Sequence, residues 1–227
     1  MSAELPHLIF DLDGTLVDGA GVFVGIVNEM LRERGSELVM TVADARPFLS
    51  LGGPALVSGL LGDECGDVVR EVADFRERYA SHVMPGDSVY DGVRTGLHEL
   101  ADHGFSLAIC SNKPEYLCEK VLGDLGLAQL FSTIVGSMPG LQSKPAPDLM
   151  NRVFGKLECD SSGAILIGDS EVDHALAENT GVPFLFVQYG YAADGWDSSN
   201  LNRFGRFADV VGWLTSRYPA APIRHVA

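Results

Sequence analysis

Short, uniformly apolar runs alternate along most of the chain with longer segments in which apolar residues recur every three or four positions. The short runs are Leu8–Phe10, Leu107–Cys110, Ile134–Val135, Ala164–Ile167 and Phe184–Val187. Such runs predict strands that are buried on both faces. The longer segments, which predict amphipathic helices, are Val93–His103, Glu115–Leu125, Pro147–Leu157 and Val172–Thr180. Because helices connect parallel strands, this alternation predicts an α/β fold with a doubly wound, Rossmann-like parallel sheet.

Residues 18–85 interrupt this alternation directly after the first predicted strand. Apolar residues keep helical spacing there, with one stripe within Val22–Leu31 and another within Val68–Tyr79, and no segment suggests a strand. We therefore predict a core domain built from residues 1–17 and 86–227, with a helical domain of residues 18–85 inserted into it.

Polar residues follow directly after several of the predicted strands. Asp11 and Asp13 come after the first apolar run, Ser111 and Asn112 after the second, and Asp169 after the run that ends at Ile167. Open parallel sheets bind their ligands outside the carboxyl ends of the strands. The sequence therefore predicts that these side chains share one edge of the sheet, together with a lysine that precedes a predicted helix.

The residue types at this edge indicate phosphoryl-transfer chemistry. Three carboxylates favour a hard divalent cation with oxygen ligands, and Mg²⁺ fits best because it takes a few carboxylates and keeps several waters. A hydroxyl at Ser111 and an ammonium at Lys144 can hold oxyanions. One carboxylate can then attack phosphorus while the charge of the phosphate is neutralised, and a second can transfer protons.

The formal net charge of −15 over 227 residues predicts a strongly acidic surface. Such a surface repels nucleic acids and anionic membranes, so a phosphorylated ligand needs local cations. No apolar run approaches the roughly 20 residues of a membrane span, and the first residues lack the pattern of a secretory signal. We expect a cytoplasmic monomer or homodimer that binds a small phosphorylated metabolite, not nucleic acid or membrane. The four cysteines lack metal-ligand spacing and are expected to be reduced.

Four motifs in order, DLDGTL, SNK, SKPAPD and GDSEVD, resemble those of the haloacid dehalogenase superfamily. Within that superfamily the chain looks most similar to phosphoglycolate phosphatases, since SNKP, KPAPD, GDSEVD and the later YGY all match that subgroup. The helical insert resembles its C1-type cap domain. The resemblance covers nearly the whole chain.

The resemblance implies roles for four acids around a magnesium ion. Asp11 is expected to be the nucleophile and a Mg²⁺ ligand, and Asp13 the general acid and base, with its backbone carbonyl on the metal. Asp169 is expected to complete the metal site. Asp173 is expected either to orient Lys144 or to bind the water shell of the metal.

The remaining expected roles concern the substrate. Ser111 and the backbone N–H of Asn112 would hold the transferring phosphoryl group, and Lys144 would neutralise the charge of nucleophile and phosphate. In the cap, Arg46 is a candidate for binding a substrate carboxylate, and a surface salt bridge is the competing interpretation. Lys113 is expected to be solvated, and Arg76 to lie on a charge-rich helix without a functional role.

The leading functional hypothesis is a Mg²⁺-dependent phosphatase acting through an aspartyl-phosphate, with 2-phosphoglycolate as the best single substrate. A phosphomutase of the β-phosphoglucomutase type and a pyrophosphatase on the same scaffold are the alternatives. A dehalogenase is disfavoured because it needs no metal, so Asp13 would have no use. A signalling receiver domain is disfavoured by the chain length and the helical insert, and a non-catalytic binding protein by the complete set of expected catalytic residues.

Overall fold

The chain folds around a six-stranded parallel sheet in a computed structural model that describes residues 5–219. The strands are β1 His7–Phe10, β2 Leu107–Pro114, β3 Phe131–Ser137, β4 Ala164–Gly168, β5 Phe184–Val187 and β6 Asn202–Phe204. Their order is β3-β2-β1-β4-β5-β6, and every neighbouring pair is parallel. The first strand therefore lies inside the sheet, between β2 and β4, and the predicted doubly wound α/β class is confirmed.

Helices cover both faces of the sheet. In chain order the helices of residues 5–219 are α1 Ala20–Glu33, α2 Val42–Ala45, α3 Gly53–Leu61, α4 Val68–Ser81, α5 Val93–His103, α6 Glu115–Asp124, α7 Asp148–Leu157, α8 Glu171–Thr180 and α9 Phe207–Arg217. Those that flank the sheet are α5–α9. Side chains of β1 alternate between the faces: Leu8 and Phe10 pack with α5 and α9, while Ile9 packs with α7 and α8. All three are fully buried, which explains why the strand reads as a continuous apolar run.

The last part of the core was not predicted from the sequence. Strand β6 has only three residues, and its first two side chains are exposed, so it leaves no apolar run. Helix α9 has buried residues at helical spacing, from Phe207 to Leu214, which a scan for the 3.6-residue period can detect. Strand β2 also extends beyond the predicted Cys110 to Pro114, so it includes the SNK motif.

Helices α1–α4 occupy the predicted insert, and no strand lies between residues 18 and 85, all of which the structure describes. Phe23, Phe75 and Tyr79 form an aromatic cluster in this helical part, with ring centroids 5.5–6.1 Å apart. Burial of one such side chain stabilises a fold by about 1.5–3 kcal/mol. The limits of the two domains stay a prediction, and residues 1–4 and 220–227 of the predicted core lie outside the described residues.

None of the helices within residues 5–219 combines the length and the apolar character that crossing a membrane requires.

Candidate active site

Asp11 follows the carboxyl end of β1 and lies in a cleft between the sheet edge and the helical cap. Its backbone N–H donates to Ile167 of the neighbouring strand, and its Oδ1 accepts from the N–H of Leu12 at 2.7 Å. The Oδ1 atom also lies 2.9 Å from Nζ of Lys144. Burial raises the pKa of Asp11 to about 6, although the attraction of Lys144 opposes this shift. A carboxylate oxygen is thus held at a fixed place in the cleft.

Lys144 is the cation at the centre of this edge. Its side chain is 2% exposed, and Nζ contacts Asp11, Asp173 at 2.7 Å and the backbone carbonyl of Cys110 at 3.2 Å. Burial alone would lower the pKa of Lys144, but the two carboxylates outweigh burial and raise it above the ordinary value. The ammonium is therefore charged and directed at the predicted nucleophile.

Asp173 lies at the start of α8 and both of its carboxylate oxygens have partners. Oδ1 accepts from Lys144, and Oδ2 accepts from the hydroxyl of Ser170 at 2.7 Å. Ser170 is also the N-cap of α8, accepting from the N–H of Asp173. Of the two roles expected for this fully buried acid, its contacts correspond to the orientation of Lys144.

Asp169 is held from two sides at the end of β4. Its Oδ1 accepts from the Thr15 hydroxyl and its Oδ2 from the N–H of Tyr191, both at 2.7 Å. Gly14 has a φ of +84° and packs so closely that a Cβ there would lie 2.2 Å from Oδ2 of Asp169. Burial and the nearby charges of Asp173 and Asp11 raise the pKa of Asp169 well above its usual value.

The carboxylates suit a hard cation. Asp11, Asp169 and Asp173 each offer an oxygen, and these oxygens lie within 4.8 Å of one another. Three acids around the single ammonium of Lys144 leave excess negative charge, which adds to burial in raising the pKa of Asp169. An all-oxygen donor set with surplus negative charge fits Mg²⁺. Asp11 and Asp169 are the residues that would hold the ion, because Asp173 is engaged by Lys144 and Ser170.

Ser111 and Asn112 lie at the end of β2 and line the same cleft. Ser111 is 2% exposed, and its hydroxyl accepts weakly from the N–H of Lys113 at 3.3 Å. The amide of Asn112 binds both backbone atoms of Lys144, accepting from its N–H at 2.7 Å and donating to its carbonyl at 3.2 Å. The structure thus brings the predicted phosphate-binding segment and the predicted lysine together.

Lys113 is buried, so the prediction that it is solvated was wrong. Its side chain is 7% exposed, and Nζ lies 2.9 Å from Oδ2 of Asp13. Burial alone would lower the pKa of Lys113, but the attraction of Asp13 and Tyr79 raises it above its ordinary value. Its position in the sequence could have indicated this burial, because Lys113 directly follows Ser111 and Asn112 in the part of β2 that borders the cleft.

The cap contributes a different arginine to the cleft from the one that the sequence suggested. Arg76 of α4 lines the cleft beside Gly53, where its Nη2 lies 3.6 Å from the place that a Cβ would take. Arg46 instead donates to the carbonyl of Gly190 at 3.4 Å and lies 4.0 Å from Asp194, at the boundary between cap and core. A substrate contact of Arg46 therefore stays a prediction that this geometry does not favour.

A family model described as haloacid dehalogenase-like hydrolase matches residues 8–187 of the chain, which include every residue of the cleft described above. The chain belongs to the haloacid dehalogenase-like hydrolases. This membership confirms the resemblance seen in the four motifs and the expected class of enzyme. The match also includes the whole helical insert between β1 and β2.

Two curated relatives of this hydrolase are named phosphoglycolate phosphatases. The protein from Rhodobacter capsulatus is 34% identical over 221 residues, which cover 93% of this chain and 99% of the relative. The plasmid-encoded protein from Cupriavidus necator is 35% identical and covers 86% of each chain. The crystal structure of a predicted phosphoglycolate phosphatase from Haemophilus somnus has the same fold, with a TM-score of 0.79 and 22% identity over 92% of this chain and 97% of that one.

Proposed function

We propose that this hydrolase is a Mg²⁺-dependent phosphatase of small phosphorylated metabolites, with 2-phosphoglycolate as its best single substrate. One observation carries the proposal. A carboxylate, a charged lysine and a buried hydroxyl from three separate strand ends or loops line one cleft, namely Asp11, Lys144 and Ser111. The names of the curated relatives support the choice of substrate.

The first half of the reaction transfers the phosphoryl group to Asp11. A carboxylate oxygen of Asp11 bonds to phosphorus as the bond from phosphorus to the substrate's alkoxide oxygen breaks. Asp13 gives its proton to that leaving oxygen. Ser111 and the backbone around Asn112 hold the equatorial oxygens, and Lys144 keeps Asp11 and the phosphoryl group from repelling each other.

The second half returns Asp11 to its starting state. Asp13, now a carboxylate, takes a proton from a water molecule as the water oxygen bonds to phosphorus. The bond between phosphorus and Asp11 breaks, and inorganic phosphate leaves. When bound at Asp11 and Asp169, Mg²⁺ would supply Lewis-acid stabilisation of the phosphoryl oxygens.

The cleft also offers a partner for a second anionic group on the substrate. The ion pairs of α4 within residues 5–219 are made by Glu71, Asp74 and Arg78. Arg76 therefore brings its positive charge to the cleft without a carboxylate from its own helix. A guanidinium can hold a carboxylate through two hydrogen bonds, and 2-phosphoglycolate carries such a group.

A phosphate-release screen tests the proposed function. The wild-type enzyme is offered 2-phosphoglycolate, glucose 1-phosphate and pyrophosphate, each with Mg²⁺ and with EDTA. We expect release from 2-phosphoglycolate that EDTA abolishes and Mg²⁺ restores. Selectivity for a sugar phosphate or for pyrophosphate would instead support the phosphomutase-like or pyrophosphatase alternatives.

The nucleophile is tested by Asp11→Asn, which keeps the shape of the side chain and removes its charge. We expect turnover to fall by at least about 10³-fold. Asp63→Asn, at an exposed position in the cap, is the matched control and should keep full activity. Full turnover in Asp11→Asn would exclude Asp11 as the nucleophile. A cytoplasmic location and a monomeric or dimeric state remain part of the proposal.

A further inference from the structure

The side chain of Lys113 crosses from the core to the cap. The residue belongs to β2, and its Nζ lies 2.9 Å from Oδ2 of Asp13 at the end of β1. The same atom donates to the hydroxyl of Tyr79 at 3.1 Å, and Tyr79 lies on cap helix α4. One ammonium therefore joins a carboxylate of the core to a phenol of the cap.

Two aromatic rings cover this ammonium on its cap side. Nζ lies 4.7 Å from the ring centre of Phe23 and 4.2 Å from that of Tyr79. Cations bind favourably over aromatic faces, and more so where water is excluded. The lysine side chain is only 7% exposed. The rings and the phenol therefore fix the position of the ammonium, and Asp13 balances its charge.

The two oxygens of Asp13 differ in their surroundings. Oδ2 is held by Lys113, whereas Oδ1 is buried and has no hydrogen-bond partner among the described residues. A carboxylate is planar, so a partner on one oxygen limits where the other can point. Proton transfer needs the acid within hydrogen-bond reach of the reacting oxygen. A constraint on Oδ2 therefore constrains the group that must deliver the proton.

We propose that Lys113 is a positioning residue for Asp13, and that the hydroxyl of Tyr79 keeps it in that role. The proposal rests on the phosphatase function proposed above. Lys113 stays charged throughout the reaction, and only Asp13 gains and loses a proton. Since Tyr79 belongs to the cap, seating the cap on the core and aligning the acid are one event.

Two small substrates with different leaving groups separate positioning from a structural role. The alkoxide of 2-phosphoglycolate needs a proton as it leaves, while the acetate of acetyl phosphate does not. In Lys113→Met we expect kcat/KM for 2-phosphoglycolate, which reports the steps up to release of the leaving group, to fall about 100-fold, because general acid catalysis is worth about 10²–10⁴-fold. For acetyl phosphate we expect kcat/KM to fall by less than about 3-fold, since its leaving group bypasses the acid and kcat/KM does not include the later hydrolysis in which Asp13 acts as base.

Three further variants sharpen the comparison. Lys113→Arg keeps a cationic donor and should recover most of the lost kcat/KM. Tyr79→Phe keeps the ring and should lower kcat/KM for 2-phosphoglycolate by a smaller factor, with no additional loss when it is combined with Lys113→Met. Lys156→Met removes a half-exposed lysine that pairs with Glu115 and is the matched control with unchanged kinetics.

The outcomes distinguish this inference from the function on which it rests. If wild-type enzyme releases phosphate from neither substrate, the proposed function fails. If wild-type enzyme does release phosphate, and kcat/KM of Lys113→Met falls by equal factors on both substrates or on neither, the positioning role fails. Should Lys113→Met not fold by circular dichroism, Tyr79→Phe and Lys113→Arg decide by the same ratio between the two substrates.

Discussion

Asp173 and Lys144 form a buried ion pair: Oδ1 lies 2.7 Å from Nζ, and neither side chain is more than 2% exposed. Because Ser170 holds the second oxygen of Asp173, the carboxylate has little freedom to follow the lysine. The pair therefore directs the ammonium towards Asp11 and compensates part of its burial. An ion pair of this kind stabilises little compared with apolar residues, but breaking it is costly because one charge stays buried.

Asp173→Asn is expected to lower both stability and activity. Within residues 5–219, loss of the carboxylate leaves Lys144 with Asp11 as its only anionic side-chain contact. We therefore expect the free energy of unfolding in urea to fall by about 3 kcal/mol. Turnover should fall as well, because the ammonium loses its orientation. Glu178→Gln, at an exposed position of the same helix, is the control and should change neither quantity. A variant as stable as wild type would show that the pair contributes no net stability.

Arg76→Gln is expected to impair recognition of a substrate carboxylate. A hydrogen bond to a charged group is worth about 1.5–3 kcal/mol, so KM for 2-phosphoglycolate should rise about 10- to 100-fold. KM for acetyl phosphate, which lacks the carboxylate, should hardly change. Arg70→Gln removes an exposed arginine of the same helix and serves as the control. Equal KM changes on the two substrates would remove Arg76 from carboxylate binding.

Gly190→Ala is expected to disturb Asp169. A Cβ at residue 190 would lie 2.3 Å from Oδ2 of Asp169 and 2.4 Å from the carbonyl of Gly14, so the loop must move. This movement separates Asp169 from the N–H of Tyr191. We expect a higher Mg²⁺ concentration for half-maximal activity and a loss of stability of about 1–3 kcal/mol. At Gly205 an added Cβ meets no neighbour, so Gly205→Ala should behave as wild type.

The four cysteines should react at two different rates. Cys110 and Cys118 are fully buried, and burial raises the pKa of Cys110 to about 12 and that of Cys118 further. The thiolate is the reactive form, so both should resist a disulfide reagent in the native protein at pH 8. Cys65 and Cys159 are partly exposed and should react first. Fast reaction of three or four thiols before denaturant is added would contradict this assignment.

The free energy of unfolding is expected to depend on pH through Asp124, which binds the backbone N–H of Met84 where the chain leaves the cap. Burial opposes ionisation, but Lys120 and the N–H of Met84, which donates at 2.9 Å, lower the pKa of Asp124 below its ordinary value of 3.8. Because folding lowers this pKa, the ionised carboxylate stabilises the folded protein above pH 3.8. That stabilisation is lost as the pH falls through the pKa of the folded state. Asp124→Asn should therefore be less stable than wild type at pH 7, and urea unfolding at decreasing pH should show the difference shrinking below pH 3.8.

The central strands and the residues that follow them could be predicted from the sequence, and the reason is geometric. Strands buried on both faces leave apolar runs, and parallel strands bring their carboxyl ends to one edge. Asp11, Ser111 and Asp169 therefore meet in the cleft as expected, along with Lys144. Their catalytic roles remain predictions, because the geometry shows proximity and not turnover.

Contacts between cap and core could not be predicted in the same way. The sequence suggests a solvated lysine at residue 113 because its burial depends on the rings of Phe23 and Tyr79, which lie on two separate cap helices much earlier in the chain. The sequence alone gives Arg76 no special role among the charges of a polar helix. It is the packing of α4 beside Gly53 that brings Arg76 to the cleft. Helical periodicity identifies the face of a helix, but it does not specify what lies opposite that face.

Asn112 joins two segments that are 32 residues apart in the chain. It can do so because its side-chain amide offers an acceptor and a donor side by side, as a peptide group does. Aspartate would present two acceptors and leucine neither, so neither replacement keeps both bonds to Lys144. These two bonds hold the segment of Ser111 and the segment of Lys144 together in the folded protein. The site is therefore preorganised, and none of a ligand's binding free energy is needed to bring these two segments together.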